Sequence, residues 1–246
     1  MHSFKLRGAY NKIVSLSAEE AARGLVAASA GNHAQGVALA AQKLAYQETI
    51  LMPTTTPEIK VQAVRALGAE VLLHGDTYDD ACDEGLRLVD ERDAVFVHAY
   101  DDVDVIAGQG TVAVEILEQH PEPSDAIFVP VGGGGLLAGV LPYIKSMRPD
   151  TAIIGVEPSD AACLHATLEA GEPVPLDHVG IFADGVAVRQ VGTEPFRTVN
   201  GRCDTSSASS ACRPRWLNPL ECTWTSAAGR WTLRATDRQT FIRRKW

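Results

Sequence analysis

The chain has no apolar run approaching the ~20 residues that a membrane-spanning helix needs. Its first residues also lack the uninterrupted apolar core of a secretion signal. These absences point to a soluble, cytoplasmic protein with no membrane partner. Cysteine is sparse, and Cys82, Cys163, Cys203, Cys212 and Cys222 form no Cys-x-x-Cys pair. No histidine pair has zinc-ligand spacing, so scattered reduced thiols are the reading. Positive charge is scarce too. The 22 Lys and Arg residues against 31 Asp and Glu leave a net charge of −9, which argues against unspecific nucleic-acid binding.

What is present is an ordinary globular composition, 46% hydrophobic and 22% charged. Short apolar runs alternate with amphipathic stretches from about residue 24 to 168. The patterns predict strands at 25–29, 49–52, 71–74, 95–98, 126–131 and 152–156. Helices are predicted at 33–44, 57–67, 78–91, 110–119 and 136–147. Thr56 reads as one N-cap with Pro57 in the first turn and Gly68 past the end, and Asp76 or Thr77 as another. Ser17-Ala18-Glu19-Glu20 reads as a capping box for one more helix. Such alternation gives parallel βαβ units, and strands without polar alternation are covered on both faces. In these sheets ligands sit beyond the C-terminal strand ends, at helix N-termini.

The last fifty residues break the pattern. Residues 197–246 carry a net charge of +7 and residues 1–196 a net charge of −16. Trp216, Trp224, Trp231 and Trp246 are all in this tail, with three of the five cysteines. A basic interaction tail, a small extra domain and translation from a shifted reading frame are the three readings. The abruptness of the change favours the shifted frame.

Two motifs fall where a strand's end meets a helix's start. In Val131-Gly132-Gly133-Gly134-Gly135-Leu136 the backbone amides are free to converge on an anion, beside a positive helix end. No Gly-Lys-Ser/Thr follows, so this is not a Walker loop. Leu137 removes the Gly-x-Gly-x-x-Gly reading. A phosphate monoester is the simplest ligand, and a plain tight turn is the alternative. In Ser29-Ala30-Gly31-Asn32-His33 the small residues expose donors suited to a carboxylate. An ordinary Asn cap with a satisfied histidine is the other reading. Near the start stands Ser3-Phe4-Lys5-Leu6-Arg7-Gly8-Ala9-Tyr10-Asn11. A desolvated Lys5 amine is a nucleophile toward an aldehyde cofactor. Taken alone it reads as a surface lysine pairing with a carboxylate, and only the rest of the constellation reverses that. Gly108-Gln109-Gly110-Thr111 reads as a helix start, and Asp101, Asp102 and Asp104 as a solvated acidic loop.

Segments 3–11, 28–38, 60–75, 105–111, 128–139, 155–158 and 180–190 resemble the biosynthetic threonine dehydratases. These belong to the tryptophan synthase β-like, fold-type-II pyridoxal phosphate enzymes. The likeness runs from residue 3 to about 196, with several motifs in matching order and spacing. The family's Gly-Leu-Phe-Ala-Asp-Gly-Val-Ala-Val matches 180–188 except at Ile181.

The resemblance implies an α/β fold of two parallel-sheet lobes. A smaller lobe would span 25–102 and a larger one 1–24 with 103–196, leaving 197–246 as a tail outside the family pattern. It implies pyridoxal 5′-phosphate as cofactor, and β-elimination of L-threonine to 2-oxobutanoate and ammonia, a carbon–nitrogen lyase step of isoleucine (branched-chain amino-acid) biosynthesis. Lys5 would be the lysine joined to the cofactor and the base at Cα, and Phe4 the aromatic packed on its ring. Asn32 would bond the ring oxygen, and Gly132, Gly133, Gly134, Gly135 and Leu136 would hold the phosphate. Ser29, Gly31, Asn32 and His33 would grip the substrate carboxylate.

The chain departs from the family in that only four residues precede Lys5 and the regulatory C-terminal domain is missing. The serine opposite the pyridine nitrogen is also not reproduced. Cys163 stands where a metal-binding carboxylate would be expected after Glu157-Pro158, so no metal site is expected. The departures imply a fragment, weak or inactive as it stands. Its rivals are a serine racemase or serine dehydratase, an inert truncation product, and a nucleotide-binding module using the four glycines. A homo-oligomer is compatible with the family.

Overall fold

A computed structural model describes residues 3–180 and 182–200. Nearly all of the expected tail, and Ile181, lie outside the described residues. The chain opens with helices α1 (Lys5–Ser15) and α2 (Ala18–Ala22). Strand β1 (Leu25–Ala28), α3 (Asn32–Leu44), β2 (Glu48–Met52), α4 (Glu58–Arg65), β3 (Glu70–Leu73), α5 (Tyr78–Arg92) and β4 (Val95–Phe96) follow. Next come α6 (Val103–Gln119), β5 (Ala126–Pro130), α7 (Gly135–Met147), β6 (Ala152–Val156), α8 (Cys163–Ala170) and α9 (Thr193–Asn200). Among the described residues no helix is long and apolar enough to cross a membrane.

The strands form two parallel sheets, one in the order β3-β2-β1-β4 and one pairing β5 with β6. β1 and β2 are buried throughout because helices cover both faces of the first sheet. On one face Leu25, Ala27, Ile50 and Met52 meet Ala9 and Ile13 of α1, Val37 of α3 and Val61 of α4. On the other, Val26, Ala28 and Leu51 meet Ala81 and Leu88 of α5. Each fully buried Val, Leu, Ile or Met side chain here contributes about 1.5–3 kcal/mol. A second core gathers Val129, Val131, Leu137, Val140, Ile144, Ile153 and Leu164 around β5 and β6.

Helix starts show which local signals were decisive. The Ser17 and Thr77 capping boxes both form, with Glu20 and Asp80 as the returning carboxylates. Thr56 is not a cap. Its hydroxyl is buried with no hydrogen-bond partner, and Pro57, with ψ at 135°, is the extended residue before the helix. The largest correction concerns α6, which begins at Val103 rather than at residue 110. Asp102 starts it, its carboxylate accepting the amide hydrogens of Asp104 (2.8 Å) and Val105 (3.1 Å). Lys12 from α1 pairs with Asp102 at 2.9 Å, so the acidic run is a structural joint and not a solvated loop. Thr111 lies inside the helix, its hydroxyl donating to the Gly108 carbonyl at 2.8 Å.

Glycines on α6 bring three helices together. A Cβ on Gly108 would lie 2.6 Å from the Arg7 carbonyl and from Gly8 Cα, both on α1. One on Gly110 would lie 3.1 Å from the Gly139 carbonyl on α7. Glycine inside a helix costs roughly 0.5–1 kcal/mol. Here it lets the helix of Lys5 and the helix of the glycine turn approach one spine. The Gly8 amide donates to the buried Gln109 Oε1 at 3.2 Å, which fixes the register of α1 on α6.

Candidate active site

Lys5 is the first residue of α1. The start of that helix satisfies itself, with the Lys5 amide donating to Ser3 Oγ at 3.3 Å and the Arg7 amide to the Phe4 carbonyl at 2.9 Å. Gly36 of α3 makes room for it, since a Cβ there would sit 3.2 Å from Lys5 C and Leu6 N. The Lys5 side chain runs inward, and Nζ donates to the Ala99 carbonyl at 2.8 Å. Among the described residues no carboxylate meets it. Burial therefore pushes the amine down to about 8, because the interior penalises the charged form. At pH 7 roughly a tenth of such amines are free, against well under a thousandth at an ordinary lysine. Nζ stands 5.6 Å from the centroid of the Phe4 ring.

The segment after β4 joins the site's parts. The Val97 carbonyl faces His33 Nε2 at 2.8 Å. His98 Nδ1 accepts the amide hydrogens of Tyr100 (3.2 Å) and Asp101 (2.8 Å). The Ala99 carbonyl holds Lys5. The Tyr100 ring covers Gly133, and a Cβ on Gly135 would lie 2.9 Å from Tyr100 Cβ and 3.0 Å from its Cα. The Asp101 carboxylate caps α9 by accepting from the amides of Thr193 (3.0 Å) and Glu194 (2.7 Å). One five-residue stretch thus touches the Lys5 amine, the α3 start and the glycine turn.

At the glycine turn, Gly134 has φ +89°, a left-handed conformation that favours glycine. The amides of Gly133, Gly134, Gly135 and Leu136 donate to no acceptor among the described residues. With the start of α7 behind them they form a ready anion site. Cys163 Sγ donates to the Gly132 carbonyl at 3.4 Å, and burial followed by the nearby Glu157 charge pushes that thiol up to about 12. Glu157 spends its carboxylate on the amides of Leu164 and His165, at 2.9 and 3.0 Å.

At the α3 start, Ser29 Oγ accepts the Gly31 amide hydrogen at 3.2 Å. The amides of Asn32, His33 and Ala34 have no acceptor among the described residues, and the Asn32 side chain is exposed. The His33 ring is buried and held down to about 3, first by burial and then by the Lys5 charge. Because Nε2 meets a carbonyl, its proton sits there. The orphan Nδ1 can then accept a hydrogen bond but not donate one to a carboxylate. A carboxylate at this helix start therefore meets backbone N–H groups, with the His33 ring as support.

These residues fit a phosphate-bearing aldehyde cofactor. A neutralisable buried amine, an aromatic ring and a set of free amides beside a helix N-terminus lie around one segment. His98, Ala99, Tyr100 and Asp101 were not anticipated from sequence. Their local signals were position, at and just past a predicted strand's C-terminal end, and the acidic run that Asp101 opens.

Comparison with known proteins agrees with this geometry. A family model described as pyridoxal-phosphate dependent enzyme matches residues 1–229. The L-threonine dehydratase biosynthetic IlvA of Pasteurella multocida is 54% identical over 197 residues, covering 80% of this chain and 38% of that protein. The chloroplastic biosynthetic threonine dehydratase of Arabidopsis thaliana is 56% identical over 195 residues, or 79% and 33%. The chain thus spans less than two-fifths of the length of these curated relatives. Among solved structures, the processed form of threonine deaminase isoform 2 from Solanum lycopersicum superposes with a TM-score of 0.77 at 52% identity, covering 80% of this chain and 57% of that one. Maize serine racemase gives 0.76 at 35% identity, covering 80% and 59%.

Proposed function

This chain belongs to the pyridoxal-phosphate dependent enzymes, and we propose that it carries the catalytic core for β-elimination of L-threonine to 2-oxobutanoate and ammonia. The reading rests on one observation above others: residues 97–101 bind the Lys5 amine, the His33 ring and the glycine turn within five positions. The identities above 50% to threonine dehydratases support L-threonine as the substrate.

In this reading Lys5 would hold pyridoxal phosphate through its ε-amine, Phe4 would pack on the ring, and Asn32 would bond the ring oxygen. Gly132, Gly133, Gly134, Gly135 and Leu136 hold the phosphate. When bound, the cofactor supplies an electron sink for the charge left at Cα. The chain's own groups do the rest. The α3 start, with Ser29, Gly31, Asn32 and His33, orients the substrate carboxylate. The Lys5 amine, poised at about 8, takes the proton from Cα near neutral pH. The neutral His33 ring stays uncharged beside Lys5 and so adds no competing cation. The site divides a smaller lobe, 25–102, from a larger one formed by 1–24 and 103–196. The protein works in the cytoplasm on a free amino acid, as a monomer or homo-oligomer.

The likeness to maize serine racemase sustains one second reading, a serine racemase or dehydratase. Purified chain with pyridoxal phosphate separates them. The proposal expects 2-oxobutanoate from L-threonine to form faster than pyruvate from L-serine, without D-serine. D-serine formation, or preference for L-serine, would replace it with the second reading.

A further inference from the structure

Two ion pairs tie the stretch before α9 to helices α4 and α5. Lys60 on α4 reaches Asp184 with Nζ 3.2 Å from Oδ2, and Arg189 faces Asp79 on α5 at 3.7 Å. Lys60 and Asp79 lie on helices that cover the four-stranded sheet. Their partners both lie in the stretch 184–192, which crosses the glycine turn. A Cβ on Gly132 would meet Val186 Cα at 3.1 Å and Val188 Cγ2 at 3.2 Å, and one on Gly134 would meet Val191 Cγ2 at 2.9 Å. The Gly192 amide donates to the Gly133 carbonyl at 3.1 Å, and the Tyr100 hydroxyl donates to the Gln190 carbonyl at 3.4 Å. Backbone bonds and apolar contacts therefore seat residues 186–192 on the turn and on Tyr100 beside it. Two pairs of charged side chains tie this strap across to α4 and α5.

We infer that Lys60 and Asp184, with Asp79 and Arg189, are positioning residues: a two-pair ionic latch that draws the 184–192 strap over the glycine turn and slows release of a phosphate-bearing cofactor. This rests on the reading that the turn holds the cofactor's phosphate. The side chains of both pairs are well exposed, at 39% and 78% for Lys60 and Asp184 and 55% and 62% for Arg189 and Asp79. Exposed pairs are individually weak and screened by salt. A weak latch suits a strap that slows cofactor release without locking it, whereas a buried pair would lock it.

The test uses the whole chain loaded with pyridoxal phosphate, comparing the unaltered protein, Asp184→Asn, Lys60→Asp and the swapped pair Lys60→Asp with Asp184→Lys. Cofactor release is followed by its absorbance after dilution, and hydrogen exchange of amides 184–192 is read in parallel. Each single change should speed release by about two- to fivefold at low salt. The swap should restore the original rate, and about 0.5 M salt should erase the differences. Equal release rates in all four proteins, or a swap that fails to restore, would overturn the latch. If the unaltered chain takes up no cofactor, the functional reading fails and exchange decides the latch by itself. Faster exchange in Asp184→Asn, restored by the swap, upholds it, and unchanged exchange overturns it.

Discussion

Two neighbouring glycines should respond oppositely to the same rescue. Gly133→Ala would push a methyl group into the Tyr100 ring, which is a side chain and can be removed. Gly135→Ala would place its methyl 2.9 Å from Tyr100 Cβ and 3.0 Å from both Cα and the carbonyl oxygen. Carbon atoms prefer about 3.5–4.0 Å, so the two segments would have to part by roughly half an ångström or more. Overpacking of this kind costs about 1–3 kcal/mol in stability. Because the Ala99 carbonyl that holds Lys5 directly precedes Tyr100, cofactor affinity should fall as well, by roughly five- to 150-fold for the same energy. Adding Tyr100→Ala should relieve Gly133→Ala, with a coupling of about 1 kcal/mol or more. It should leave Gly135→Ala unrelieved, since Cα, Cβ and the carbonyl remain. Gly185→Ala, with nothing within 4 Å, is the control and should shift stability by less than about 0.5 kcal/mol. Urea midpoints of the singles and doubles give the answer. A Gly135→Ala protein as stable as the original, or one rescued as well as Gly133→Ala, would refute the placement of Tyr100 against the turn.

Other groups give independent checks. Amine-directed labelling of Lys5, followed by peptide mass against pH, should show a midpoint near 8, and one near 10.5 would remove the burial argument. His33 should show no ring titration by NMR between pH 5 and 8, because its folded value lies near 3. Its folded value is below the unfolded one, so stability is complete above about pH 6.5 and falls as the unfolded state binds a proton. The loss should be about 2 kcal/mol by pH 5 and absent in His33→Gln, and an equal loss in both proteins would contradict the assignment. Asp102→Ala removes two amide partners at the α6 start and the partner of Lys12, and should cost about 1–2 kcal/mol in a urea titration. A change below about 0.3 kcal/mol would return the acidic run to a solvated loop.

Local chemistry made much of the fold readable. The Ser17 capping box, the strand at 152–156 and the glycine run after a strand all rest on neighbouring residues, and all appear where expected. What escaped depends on distant partners. The start of α6 looked like an acidic loop because Lys12, which makes Asp102 useful, lies ninety residues earlier in sequence. The segment 97–101 read only as a strand end followed by an acidic run, since its contacts to Lys5 and His33 are tertiary and use the Ala99 and Val97 carbonyls, backbone atoms that any residue supplies. Helix α1 was also missed as an element. Its N-cap, Phe4, makes no side-chain cap bond, and its anchorage comes from Gly8, Gly36 and Gly108 packing across helices. For the site, residue types could be named from motifs, but the orphan His33 Nδ1 and the lowered Lys5 follow only from burial.

The most direct test is chemical. The purified chain would be incubated with pyridoxal phosphate, reduced with borohydride and digested, and the modified lysine located by mass. The account predicts one adduct, on Lys5, lost in Lys5→Ala and reduced by excess inorganic phosphate competing at the glycine turn. Labelling spread over Lys12, Lys43, Lys60 and Lys145, or uptake unchanged by Lys5→Ala, would contradict it.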